Sequence, residues 1–171
     1  KQKSLFMAIC YGVIRHYWEL QADLNRYISR PIKKKDSVIE NLIVSGLFQI
    51  KYTRIPAHAV VVQTVEAAKD LKKHNLSAFV NAVLRKYLRT SNSANMVLGD
   101  QAIYNHPQWL LDQFREDWPD HWQGICKNNN IQGPMWLRVN RKKIETKKYL
   151  STIAESLNKS SEETGYIGDL D

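Results

Sequence analysis

Between residues 42 and 89 the chain runs through three amphipathic segments with almost nothing between them: LIVSGLFQIKYTRIPAHAVVVQTVEAAKDLKKHNLSAFVNAVLRKYLR. Apolar residues recur at helical intervals, and the pattern breaks only at residues 53–56 and 73–75. Three amphipathic helices joined by turns this short bury their stripes only by packing on one another, so the pattern predicts a helical bundle. The first helix carries Leu42, Ile43, Gly46, Leu47 and Ile50 on one face, and Gly46 lets a neighbouring helix come close. Pro56 suits the first turn of the second, where its missing N–H has no intrahelical use. That helix buries Val60, Val61, Thr64, Val65 and Ala68, and Lys69, Lys72 and Lys73 crowd the end where the helix dipole favours cations. The third, from about Leu76, turns Phe79, Val80, Val83, Leu84 and Tyr87 inward and Arg85, Lys86 and Arg89 outward.

The flanking sequence extends the helical reading. Leu5, Phe6, Ile9, Val13, Ile14 and Tyr17 give an opening helix one apolar face, with Ser4 as its expected N-cap. A second piece through Leu20, Leu24, Tyr27 and Ile28 ends before Pro31. At the turns and within the helices, Arg54 is expected to bond helix-end carbonyls, His58 to be partly buried, and Asn81 to bond a neighbouring loop. Beyond a polar stretch at residues 90–95 come short helices carrying Met96, Val97, Leu98, Ile103 and Tyr104, then Trp109, Leu110 and Phe114 after His106-Pro107, then Trp122, Ile125 and Cys126 after Trp118-Pro119. Tryptophans at helical spacing beside Leu and Phe are expected to pack rather than to stack on bases. After the breaker NNNIQGP the period changes. Residues 135–140 alternate as a strand, and a helix follows from Thr146 through Tyr149, Leu150, Ile153, Ala154 and Leu157. Strand then helix is the opening β-α unit of a small α/β or ferredoxin-like subdomain.

Charge divides the same way. The 171 residues carry a net charge of +8, but residues 1–90 hold +10 and residues 91–171 hold −2. A basic helical domain has the electrostatic footprint of a nucleic-acid binder, since each phosphate it neutralises releases counterions. The densest positive run, Arg30-Pro31-Ile32-Lys33-Lys34-Lys35, lies in a loop ahead of a helix that Asp36 or Ser37 caps; it is either a solvated loop or one side of a phosphate-binding patch. Cys10 and Cys126 are far apart and off metal spacing, the five histidines are scattered, and no glycine-rich loop follows a strand. These features predict free thiols, no metal site and no dinucleotide site. No run reaches the length of a membrane span, and residues 1–4 lead into an amphipathic helix instead of a signal-peptide core. The sequence opens without Met and stops at GDLD, which reads as a fragment of a longer protein.

Two segments carry a family resemblance: YTRIPAHAVVVQTVEAAK, residues 52–69, and FVNAVLRKYLR, residues 79–89. In the order and spacing of Arg-Ile-Pro-x-His-Ala and Val-Asn-x-Val-Leu-Arg they resemble the NusB-like RNA-binding domain. The form they resemble stands at the N-terminus of the bacterial small-subunit rRNA cytosine-5 methyltransferases, the Fmu/Sun family. Gln63 stands where that family often has Glu, and Ala82 where it often has Gly; neither disturbs a helix. HPQWLL at residues 106–111 resembles the family's helical connector, and PMWLRVNR at residues 134–141 resembles the start of its RNA-binding subdomain.

The resemblance implies a mainly α chain in three parts. Residues 1–90 would be the NusB-like bundle without its first helices, 91–133 a helical connector, and 134–171 the start of a ferredoxin-like α/β subdomain, cut before the catalytic domain. Together with the distribution of charge it predicts phosphate contacts from Arg30, Lys33, Lys34, Lys35, Arg85 and Arg89, and from Arg138 and Arg141 near the connector. S-adenosylmethionine would belong to the parent enzyme and not to this fragment, which holds no catalytic site. The expected partners are small-subunit rRNA and the parent's own catalytic domain, in the cytoplasm, with no membrane and no metal. The alternatives are a stand-alone NusB-like transcription antitermination factor, against which the tail from His106 counts, and a helical protein-docking domain.

Overall fold

The structure, a computed structural model, describes residues 2–90, 98–131, 133 and 137–157. It divides into two compact units, Lys1–Ile131 and Gln132–Asp171. In the first unit the helices are α1 (Gln2–Arg15), α2 (Tyr17–Tyr27), α3 (Ser37–Tyr52), α4 (Ala57–Asp70), α5 (His74–Thr90), α6 (Asp100–Tyr104), α7 (Gln108–Asp117) and α8 (Trp122–Asn129), with a single 3-10 turn at Lys34–Asp36 ahead of α3. The second unit contains α9 (Thr146–Leu157).

Helix α3 is the centre of the bundle and packs against α1, α2, α4 and α5. Its position follows from its sequence: SVIENLIVSGLFQIKY places Ile39, Ile43, Val44, Leu47 and Phe48 inside, against Leu20 and Leu24 of α2 and Val80, Val83 and Leu84 of α5. Two glycines set the closest approaches. A Cβ on Gly46 would sit 3.2 Å from both Leu84 Cδ2 and Thr64 Oγ1, so α4 and α5 press on α3 at this point. A Cβ on Gly12 would meet Phe48 Cζ at 2.0 Å, so the aromatic ring occupies the space that a side chain on α1 would need.

A polar network joins α2 to α3 at the edge of this core. Lys51 Nζ lies 2.5 Å from Glu19 Oε1 and 3.1 Å from Asp23 Oδ2, and the Tyr52 hydroxyl donates to Glu19 Oε2 at 2.6 Å. Burial alone would raise the pKa of Glu19, but hydrogen bonds from Lys51 and Tyr52 outweigh it and hold the carboxyl below its ordinary value of 4.5. For Lys51, burial favours the neutral amine, and Glu19 and Asp23 reverse this to hold the ammonium above 10.5. Tyr52 is pushed well above the ordinary phenol range by burial and by Glu19.

Helices α6, α7 and α8 form the connector. Asn105, in the left-handed region at φ 54°, ends α6, and its Oδ1 accepts the Glu19 backbone N–H at 3.0 Å, which docks α6 on the N-terminal end of α2. The buried His106 and the side chain of Asn130 both bond the Tyr104 carbonyl, at 2.5 and 2.6 Å, and Arg115 stacks 4.4 Å over the Trp122 ring.

Several local expectations need correction. Helix α1 is already under way at Gln2, so Ser4 is not its cap. Of its expected apolar face Ile9 and Val13 touch the core, while Leu5, Phe6 and Ile14 are exposed, because no described element covers that side; Tyr17 belongs to α2. Pro56 sits just before α4 rather than inside its first turn. Arg54 is exposed and makes no bond to a helix end among the described residues; Thr53 does that work, donating to the Gln49 carbonyl and accepting the Ile55 N–H. His58 is exposed, and Asn81 accepts from Arg85 on its own helix instead of reaching a loop. Trp109 is 70% exposed and Trp118 47%, so these two rings do not pack inside as expected. Of the expected strand, part lies outside the described residues and residues 137–140 are irregular, since a strand needs a paired neighbour to hold its register. The polar stretch at residues 91–95, with Met96 and Val97 beyond it, also lies outside the described residues.

The network yields a pH test. A lowered Glu19 pKa stabilises the fold above the unfolded value and loses that contribution as pH falls through the folded one; a raised Lys51 pKa stabilises below its unfolded value and loses it as pH rises through the folded one. Because the site is only half-buried, Glu19→Gln is expected to cost about 1–2 kcal/mol at pH 7, less than a fully buried pair. Urea unfolding at pH 7 and near pH 3 checks this: the gap to wild type closes in acid, and an equal gap at both would mean the charge is not its source.

Candidate nucleic-acid interface

The basic loop is the segment from the end of α2 to the 3-10 turn; one end is fastened to the last turns of α5 and the other to the turn just ahead of α5. At one end Tyr27 packs edge-to-face on Tyr87, ring centroids 5.6 Å apart, and Thr90 Oγ1 donates to the Tyr27 hydroxyl at 3.3 Å. At the other, Lys73 Nζ donates to Asp36 Oδ1 at 2.7 Å and to the Lys35 carbonyl at 3.3 Å. The 17 residues of α5 make a helix about 25 Å long. The nine residues from Ile28 to Asp36 span at most about 30 Å, so the loop is drawn along the length of α5. Ile28 and Ile32 pack on the core and pin it there, while Arg30, Lys33, Lys34 and Lys35 stay exposed.

Helix α5 carries three exposed cations in its last two turns, Arg85, Lys86 and Arg89. Arg85 and Arg89 are exposed near its C-terminal end, Arg85 partly held by Asn81 at 2.9 Å. Arg26 and Lys86 flank the Tyr27 ring at 5.6 and 6.0 Å from its centroid. Neither was among the expected phosphate contacts, although Lys86 was expected to face outward. Their spacing was the available signal: Arg26 stands four residues before Arg30, and Lys86 three before Arg89.

The turn from α4 to α5 adds Lys72 and Lys73. Lys72 N–H bonds the Lys69 carbonyl and Lys73 N–H the Ala68 carbonyl, the paired bonds of a Schellman motif, with Lys72 at φ 58° in the place glycine usually takes. Lys73 is not a free cation, since it clamps Asp36. That hydrogen bond is the chief cause holding the Asp36 carboxyl below its ordinary range.

Arg138 and Arg141 belong to the second unit, and no shared face with the first is implied. Both are exposed, and Arg141, Lys142, Lys143 and Lys147 line a cleft of about 670 Å³ there, where Asn140 accepts the Lys142 N–H in an Asx turn. Among the described residues no cluster of His, Cys, Asp and Glu could hold a metal ion. Burial raises the Cys126 thiol above its usual pKa, the opposite of what a nucleophile needs. Among the described residues no helix is long and apolar enough to cross a membrane.

Comparison with known proteins is in keeping with this geometry. Residues 1–89 match the NusB family. The chain belongs to that family. Residues 106–164 match the family described as Methyltr_RsmF/B-like, ferredoxin-like domain. Similar curated proteins bear the name ribosomal RNA small subunit methyltransferase B. That of Cronobacter sakazakii is 38% identical over 157 residues, covering 91% of this chain and 37% of the relative. That of Erwinia tasmaniensis is 40% identical over 158 residues with the same coverage. That of Vibrio cholerae is 43% identical over 142 residues, 82% of this chain and 33% of the relative. The chain therefore spans about a third of the length of the curated relatives it matches.

Lys72 offers a check on how the NusB-family bundle builds this surface. A side chain in the left-handed region costs roughly 1 kcal/mol that glycine avoids. Lys72→Gly is expected to raise thermal stability by about that much, read by calorimetry; an unchanged or lower midpoint would mean that the lysine side chain stabilises the turn.

Proposed function

We propose that this chain is the RNA-binding N-terminal region of an S-adenosylmethionine-dependent rRNA cytosine-5 methyltransferase. Its phosphate contacts are Arg30, Lys33, Lys34, Lys35, Arg85 and Arg89, extended by Arg138 and Arg141 on the second unit. The observation that carries the reading is the fastening of the basic loop along α5, which gathers cations from two distant stretches of a NusB-family bundle. The names of the relatives support methyltransferase parentage and small-subunit rRNA as the RNA. No residue here is assigned to S-adenosylmethionine, which belongs with the catalytic part of the parent, in the cytoplasm where rRNA is modified.

The domain reading follows: a bundle over residues 1–90, a connector over 91–133 and an RNA-binding subdomain from 134. The exposed stripe of Leu5, Phe6 and Ile14 supports a bundle completed by earlier helices seated on α1. On α7, the exposed Trp109 stands beside Asp112 and Glu116, which repel phosphate, and this supports a protein contact there, made in the parent with its own catalytic domain.

The test is binding of small-subunit rRNA and of an unrelated RNA of equal length over a salt series. With about four phosphates neutralised, log K is expected to fall against log salt with a slope near −3, and Lys33→Glu, Lys34→Glu and Lys35→Glu together to lower affinity more than tenfold and flatten the slope by about 2. Circular dichroism confirms that the triple variant folds. A salt-independent affinity, or a triple variant that binds as wild type, would sink the phosphate assignment; equal binding of both RNAs would count against rRNA as the particular partner.

A further inference from the structure

Helices α2 and α6 flank an open cleft of about 390 Å³ that none of the phosphate contacts lines. Tyr17, Trp18, Gln21 and Asn25 line it from α2, and Gln101 and Ala102 from α6. No Asp, Glu, Lys, Arg or His is among its lining residues, in a chain where a quarter of the residues are charged. What lines it instead is a set of three carboxamides and two aromatic rings. Asn25 and Gln101 each offer an acceptor oxygen and a two-proton donor in one plane, the pattern that pairs with the edge of a nucleobase. Tyr17 and Trp18 meet edge-to-face, centroids 5.3 Å apart and planes at 79°, which leaves ring face available for stacking.

The cleft is also held in shape. Asn105, next to α6, accepts the Glu19 N–H of α2, and Glu19 is itself fixed by Lys51 and Tyr52 of α3. Gln21 is oriented by donating to the Tyr17 hydroxyl at 3.2 Å and to Glu40 Oε1 at 2.6 Å, and its carbonyl oxygen is buried without a donor among the described residues. That oxygen is closed off from the cleft, so Gln21 shapes the wall, and the amides open to a ligand are those of Asn25 and Gln101. Arg26 stands four residues after Ala22 of the same wall, one helical turn or about 5–6 Å along α2, with Arg30 beyond it.

We propose that the cleft between α2 and α6 takes one unpaired nucleobase from an RNA strand whose phosphates lie on Arg26 and Arg30. The proposal rests on the RNA-binding reading above. It makes the chain a reader of single-stranded RNA, because a base locked in a duplex cannot enter. Stacking and amide contacts add affinity that salt does not weaken, whereas the arginines add affinity that salt does.

The experiment uses the whole 171-residue chain and two probes of equal charge: a short single-stranded ribo-oligonucleotide, and the same sugar-phosphate backbone with every base removed. The base-containing strand is expected to bind about tenfold more tightly. Asn25→Ala with Gln101→Ala is expected to erase most of that advantage and leave the salt slope unchanged. Trp18→Leu, checked for folding by circular dichroism, is expected to do the same. Arg26→Gln with Arg30→Gln is expected to weaken both strands alike and flatten the slope. If the chain binds both strands equally with a phosphate-like slope, the cleft proposal falls and the RNA-binding reading stands. The same holds if the cleft variants keep the full preference for bases. If neither strand binds at low salt, both fall together.

Discussion

Glu19 is the residue on which the first unit turns. Its carboxylate takes Lys51 and Tyr52 and so fixes the angle of α2 against the central helix; its backbone N–H takes the Asn105 side chain and so fixes the connector on α2. The two attachments are of different kinds. The first is charge-assisted and half-buried, where a hydrogen-bonded pair is worth more than a surface ion pair. The second uses one of the N–H groups that every helix start leaves without an intrahelical partner. A single position therefore couples bundle and connector, and both the cleft beside Trp18 and the start of the basic loop lie on the helix it anchors.

The distribution of charge follows from where the fold leaves chain ends and turns. The core of the bundle is supplied by α3, whose interior positions are filled by Ile39, Ile43, Val44 and Leu47, so cations can gather only at helix ends and in the loop over α5. Lys33 to Lys35 sit at the 3-10 turn, Lys72 and Lys73 at the α4–α5 turn, and Arg26, Lys86 and Arg89 at the paired ends of α2 and α5. Like charges so close repel, and among the described residues Asp36, clamped by Lys73, and Glu66, paired with Lys69, offset part of this. That clamp offsets part of the repulsion and sets the loop before any phosphate arrives, so less ordering remains to be done on binding.

The bundle was legible because helical period is a local property of sequence. The three segments from residue 42 to 89 appear as α3, α4 and α5, with Gly46 at the close approach its size suggested. Contacts between distant residues were not legible. Nothing in residues 26–36 announces that Tyr27 will meet Tyr87, or that Lys73 will hold Asp36, so Arg26 and Lys86 were passed over. The exposed residues of α1 and α7 misled for the same reason: an apolar stripe says that a face seeks cover, not that cover is present. Arg54 was given the helix-end carbonyls of its own turn and Asn81 a neighbouring loop, but Thr53 bonds at the turn and Arg85 bonds the amide.

Within the first unit the two halves carry opposite signs. From Leu98 to Ile131 there are five carboxylates, Asp100, Asp112, Glu116, Asp117 and Asp120, against Arg115 and Lys127. Arg115 pairs with Asp100 and Asp112, which leaves the others to face solvent. On the proposed reading, a polyanion on the basic loop would be turned away from this connector, because exposed charges act over roughly a Debye length, about 8–10 Å. The α2–α6 junction, where the basic bundle meets the acidic connector, holds a cleft lined by uncharged residues. If the proposed binding holds, an uncharged base would enter a place where a phosphate gains little, and the field that kept the backbone on the bundle would also decide which part of a nucleotide reached the junction.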